Sequence, residues 1–191
     1  MAWGMSEIIR HPRVTHKLQQ ELRTALNGKP KIEEKDTINL PYLNMVLKET
    51  MRLHPPAPFL VPRHCEQTMQ LDGYTIPANS RVILNAWAIM RDQSYWEDAD
   101  SFRPERFEDA AKAAECKDAY IPFGGGRRVC PGINFGMRSM ENVIGNLLYH
   151  FDWELPGGKK AEELDMEEAF GLSLVRKNDL LLVPTPYNPK I

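Results

Sequence analysis

The chain has 191 residues, 42% hydrophobic and 26% charged, with a formal net charge of −2. That length supports one ordinary domain with a real core, the composition is globular, and the near-neutral charge leaves no footprint for nucleic acid. Three cysteines without framework spacing point to a reducing compartment. No stretch approaches the roughly eighteen apolar residues of a membrane span, and Met1 to Arg10 lacks the basic head and apolar run of a signal peptide.

Met1 to Arg10 reads as the tail of a helix, with Met5, Ile8 and Ile9 on one side and no N-cap before it. A second helix starts at Pro12, a residue suited to a first helical position. Val14, Leu18, Leu22, Ala25 and Leu26 form its apolar stripe, and Asn27-Gly28 is its stop signal. The next helix spans about Tyr42 to Leu53, with Leu43, Val46, Leu47 and Thr50 inward, and His54-Pro55-Pro56 ends it. Glu49 and Arg52, three apart, are neighbours on its surface; such a pair is usually solvated and contributes only a few tenths of a kcal/mol.

Pro58 to Arg63 is extended, apolar and bounded by prolines, which reads as an edge strand. Met69 to Ile76 forms a hairpin turning at Asp72-Gly73. Val82, Leu84 and Ala86 alternate with Ile83, Asn85 and Trp87 as a further strand. Asp98 to Pro122 is irregular and mostly without period, and a loop that long in a compact domain is usually functional or a packed meander. A long helix follows Cys130 and runs to about Phe151. Its stripe of Ile133, Met137, Met140, Ile144, Leu147 and Phe151, widened by Val143 and Leu148, predicts a well-buried element. Gly136 and Gly145 allow a neighbour to come close. Leu172 to Val175 and Leu180 to Val183 flank Lys177-Asn178-Asp179 as a hairpin.

The chemistry concentrates between Phe123 and Gly132, in the run Phe-Gly-Gly-Gly-Arg-Arg-Val-Cys-Pro-Gly. Glycines let the backbone take positive φ and approach a flat ligand. Cys130 lies just before a helix start, where amide groups stabilise an anion, and Arg127 and Arg128 add positive charge. A thiolate held there can attack a substrate, bind a soft metal or ligate haem iron. A lone cysteine is more often a small buried hydrophobe. The loop lacks the Gly-Lys-Ser/Thr of a phosphate cradle, and Cys65, Cys116 and Cys130 lack paired zinc spacing.

The pattern Phe123-x-x-Gly126-x-Arg128-x-Cys130-x-Gly132 resembles the haem-binding loop of the cytochrome P450 monooxygenases. Glu49-x-x-Arg52, then Pro104-Glu105-Arg106-Phe107, then the cysteine loop repeat the order of motifs in that family, and Asn85 to Asp92 also matches. The resemblance implies a mixed α and β fold, mainly helical, with small sheets, a meander and a cysteine-ligand loop. It implies haem b as cofactor, with Cys130 as the thiolate ligand of its iron, Arg128 and Arg63 on its propionates, Phe123 packed under the ring and Gly132 allowing close approach. It makes Glu49, Arg52 and Arg106 a buried structural charge triad, and turns Phe59, Leu60, Val61, Phe170 and Leu172 toward substrate. Arg127 and Arg138 are expected to help dock an acidic reductase.

The likeness covers nearly the whole chain but only the carboxyl-terminal part of the family's fold, so residues 1–191 are expected to form a partial domain. The oxygen-activating part of the central helix, a second propionate-binding helix and the membrane anchor would lie upstream. His54, His64 and His150 show no recognisable partner in the sequence. The expected function is haem-thiolate monooxygenation of an apolar small molecule, with O2 and electrons from NADPH through a reductase. For the complete enzyme the expected place is the cytosolic face of the endoplasmic reticulum; the chain without its anchor would be cytoplasmic. Whether this chain is itself an enzyme stays open: a truncated, non-catalytic product that at most binds haem is the alternative. A thiol enzyme with Cys130 as nucleophile has no spaced His or acid to support it.

Overall fold

Proline opens two of the helices that build the core. The computed structural model describes residues 1–26, 28–37, 39–109, 111, 114, 116–169 and 171–188. Helix α1 is Ala2–Arg10, α2 is Pro12–Ala25, α3 is Glu34–Thr37, α4 is Pro41–Leu53, α5 is Ala86–Ile89 and α6 is Ile133–His150. Pro12 and Pro41 sit at the first helical positions of α2 and α4, where a missing N–H costs no hydrogen bond. Glu21, reaching from α2, accepts from the Tyr42 and Leu43 amides at 2.7 and 2.9 Å. A carboxylate thereby satisfies orphan donors at the start of α4 and complements its dipole.

Among the described residues the sheets are four antiparallel two-stranded ribbons: β1 (Arg63–His64) with β4 (Arg81–Val82), β2 (Met69–Leu71) with β3 (Tyr74–Ile76), β5 (Phe151–Glu154) with β8 (Val183–Pro186), and β6 (Glu168–Ala169) with β7 (Val175–Arg176). The β2–β3 turn uses Asp72 at φ 50° and Gly73 at φ 81°, the positive pair that a two-residue hairpin requires.

One core joins α1, α2, α4 and α6 through Ile8, Leu18, Leu22, Leu43, Leu47, Ile144 and Leu148. Each such side chain contributes roughly 1.5–3 kcal/mol by leaving water. A Cβ built on Gly145 would lie 2.9 Å from Ile32 and 3.5 Å from Leu43, so glycine lets α6 sit against these neighbours. A smaller cluster of Trp96, Ala99 and Ala119, with Phe107 and Tyr120, gives the meander its own centre. Short 3-10 turns at Pro104–Phe107 and Lys117–Ala119 shape it.

Several expectations change. The strand expected through Ala86 stops at Val82, because Asn85 caps a helix by accepting from the Ala88 amide at 3.0 Å. The terminal hairpin around Lys177 does not form: β7 pairs upstream with β6, and β8 pairs with β5. Pro58 to Val61 is a turn, closed by the Leu60 amide on the Ala57 carbonyl at 3.0 Å. Ala25 is exposed. Helix α6 buries only Glu141, Ile144, Gly145 and Leu148, and Val143 faces solvent. The neighbours of Gly145 and Gly136 are residues of this chain, Ile32 and Phe123 respectively.

Candidate functional site

The glycine loop ends in a short 3-10 turn, Gly126–Arg128, five residues before α6 begins at Ile133. Gly124 and Gly126 have φ of 74° and 64°, a region that side chains disfavour. The Cys130 amide donates to the Phe123 carbonyl at 3.0 Å, which folds the loop back on itself. Cys130 is a free, exposed thiol. A Cβ on Gly132 would lie 3.7 Å from its sulfur, in ordinary contact.

The thiol opens into a cleft of about 390 Å³. Pro56, Ala57, Leu60, Val61, Pro122 and Phe123 give it apolar walls, and Arg63 and Arg128 stand among its lining residues. An Arg63 Nη2 donates to the Arg128 carbonyl at 3.4 Å, linking the two sides. Leu60 holds φ 52°, a left-handed conformation that is unfavourable for a leucine, within this wall.

A charge cluster joins α4 to the meander. Arg52 grips Glu49 with two donors, Nε at 2.7 Å and Nη2 at 2.9 Å, and both side chains are fully buried. Arg106 Nε adds a third bond to Glu49 at 2.8 Å. Two guanidinium groups face one carboxylate, so main-chain carbonyls take up the remaining donors: Met90 and Ala99 for Arg52, Glu97 and Ser101 for Arg106. This arrangement pins α4 to the meander that leads into the cysteine loop. Nearby, Glu105 accepts from Arg13, Tyr42 and Lys17, and the Arg13 guanidinium holds its carboxyl down at about 2. Burial pushes the Tyr120 phenol upward.

The sequence model of the cytochrome P450 family matches residues 1–183. The chain belongs to the cytochrome P450 family. It is 48% identical over 190 residues to premnaspirodiene oxygenase of Hyoscyamus muticus, covering 99% of this chain and 38% of that protein. It is 50% identical over 186 residues to germacrene A hydroxylase of Barnadesia spinosa, covering 97% and 38%. A zebrafish cytochrome P450 solved with abiraterone superposes with a TM-score of 0.86 at 28% identity, covering 98% of this chain and 44% of that one. The chain thus spans about two fifths of the length of the curated relatives it matches.

A P450 implies haem, and the cleft fits such a group. Its walls are apolar, as a porphyrin face requires, and its lining includes one soft sulfur beside two cations of a kind suited to carboxylates. Phe123, Arg128, Cys130 and Arg63 line it, whereas Gly126 and Gly132 shape the loop from outside its lining. Leu60 and Val61 line it too. Phe59 instead faces a smaller cavity of about 160 Å³ with Trp87, Glu168 and Leu174. Leu172 is 88% exposed, and Phe170 lies outside the described residues. Arg138 is bonded to Glu141 and Thr37, so it is less available for docking than its sequence position suggests.

The sequence also hid a partner set for His54. Its Nε2 lies 2.7 Å from Glu7 of α1, and its ring stacks on Trp3 at 4.1 Å. No local spacing announces those contacts, because both partners lie on another helix.

Proposed function

We propose that this chain carries the haem-thiolate site of a P450 monooxygenase that hydroxylates an apolar small molecule. The observation that carries the reading is the convergence of an exposed Cys130 thiol, apolar walls and the Arg63 and Arg128 guanidinium groups on one cleft. Cys130 would be the sulfur ligand, with Phe123 packed beside it. Arg63 and Arg128 would hold the propionates as charge-assisted hydrogen-bond donors. Gly126 and Gly132 would keep the loop and the start of α6 close to the ring.

The chemistry that haem supplies when bound is reductive activation of O2 and transfer of one oxygen atom to a C–H bond, with thiolate ligation favouring O–O cleavage. The protein's own groups do the rest. The hydrogen bond from the Cys130 amide to the Phe123 carbonyl holds the backbone that carries the sulfur. The Glu49–Arg52–Arg106 cluster holds the meander and so the loop. Leu60 and Val61 supply the apolar surface that a substrate would meet, and Phe59 and Leu172 sit on the segments beside it.

Electrons would come from NADPH through a reductase, which would meet this half of the molecule near Arg127. The complete protein would act at the cytosolic face of the endoplasmic reticulum. Its relatives here are an oxygenase and a hydroxylase by name, which supports the reaction class.

Haem retention tests the reading. The chain loaded with haem and passed through gel filtration is expected to retain about one haem per chain. Arg128→Met and Arg63→Met should each weaken retention. Equal retention by the double variant would remove the propionate roles.

A further inference from the structure

The Glu7–His54–Glu168 cluster lies outside the cleft and takes no part in the chemistry above. Glu7 comes from α1, His54 ends α4 and Glu168 begins β6. His54 and Glu7 are 8% and 5% exposed. His54 Nε2 is 2.7 Å from Glu7 Oε1, while Nδ1 faces Glu168 Oε1 at 3.6 Å and has no hydrogen-bond partner among the described residues. Trp3 lies flat on the imidazole, with ring centroids 4.1 Å apart and planes within 4°. The other charged groups facing the cluster are His11, 3.4 Å from Glu7 Oε2, Arg176, which stands over Trp3 and bonds Ser6, and Arg91, which feels the charge of Glu168.

A neutral imidazole has one N–H. If Nε2 donates to Glu7, the Nδ1 lone pair points at a carboxylate and repels it. A second proton turns Nδ1 into a donor toward Glu168. With the Nε2 proton engaged by Glu7, the contact with β6 therefore exists when the ring carries two protons and is lost when it carries one.

That contact bears on two segments. The Leu174 amide donates to the Pro56 carbonyl at 3.1 Å, and Trp3 Nε1 donates to the Leu174 carbonyl at 3.1 Å. Phe59, Glu168 and Leu174 share the 160 Å³ cavity. We propose that His54 is a protonatable clasp, a positioning residue that ties the β6–β7 hairpin to the Pro56–Val61 segment when doubly protonated and loosens it when neutral. The clasp does not rest on the haem reading.

The sign is fixed: the clasp closes when the His54 ring carries two protons and opens when it carries one. Ring-nitrogen NMR of His54 and exchange protection of the Leu174 amide, corrected for intrinsic exchange, can be followed together in the haem-free chain. Protection is expected to fall about tenfold as His54 loses its proton, the weight of one charge-assisted hydrogen bond. Glu168→Gln should remove that step while leaving the Glu7 contact in place, and His54→Gln should give a flat profile. Should His54→Gln fail to fold, Glu168→Gln at its exposed site still decides the matter. Leu174 protection that ignores the titration of His54, or an unchanged step in Glu168→Gln, overturns the clasp.

Discussion

Glu49 accepts three side-chain hydrogen bonds from Arg52 and Arg106 in a site closed to water. Removing the carboxylate leaves Arg52 buried and uncompensated, so Glu49→Ala should lower stability by about 3–5 kcal/mol in urea unfolding. At Glu105 the arginine neighbour lowers the carboxyl from 4.5 to about 2. Its folded value lies below its unfolded one, so its contribution is present above the ordinary carboxylate range and is lost as pH falls from 4.5 through about 2. Urea midpoints across that window should drop for the parent chain, and part of the drop should vanish in Glu105→Gln. The pair with Arg13 is exposed on one side, so the effect will be modest. The cysteine loop was legible in sequence because glycine conformation, helix start and thiol are local properties. The partners of His54 were not, because Glu7 and Glu168 meet it only through tertiary packing.

At the scale of elements, α6 approaches Ile32, Leu43 and Leu22 across Gly145. Gly145→Val should force these side chains apart and cost about 1–3 kcal/mol by thermal or urea unfolding, where Gly145→Ala meets only the flexible end of Ile32. Helix periods gave α1, α2, α4 and α6, with a proline start read only for α2 at Pro12; the start of α4 at Pro41 lies one residue before the expected Tyr42. The small ribbons were harder. Arg176 donates to the Asp165 carbonyl at 2.6 Å, and Asn178 bonds the Asp165 carboxylate at 2.6 Å. These polar contacts draw β7 upstream to β6, against the hairpin that Lys177-Asn178-Asp179 suggests. Two-residue strands leave no alternation to read, so their pairing is decided by such side chains. Asn85 likewise turned an alternating run into a helix start by capping it.

At the scale of the whole molecule, the core of α1, α2, α4 and α6 carries a cleft whose thiol is open to solvent. Apolar side chains stand free beside it and beyond it: Val61 at 71%, Leu172 at 88% and Phe135 at 81% exposure. The family's order of motifs located the thiol and the charge cluster beforehand. The walls from Pro56, Ala57 and Pro122 became visible only once the Pro58 to Val61 turn and the meander were folded against the loop. Everything proposed for this cleft depends on Cys130 holding haem through its sulfur. The most direct measurement is a reduced, carbon-monoxide difference spectrum of the 191-residue chain after haem addition, beside Cys130→Ala. A red-shifted thiolate Soret band in the parent chain, lost in the variant, is the predicted result. No such band in the parent, or the same band in Cys130→Ala, would contradict it.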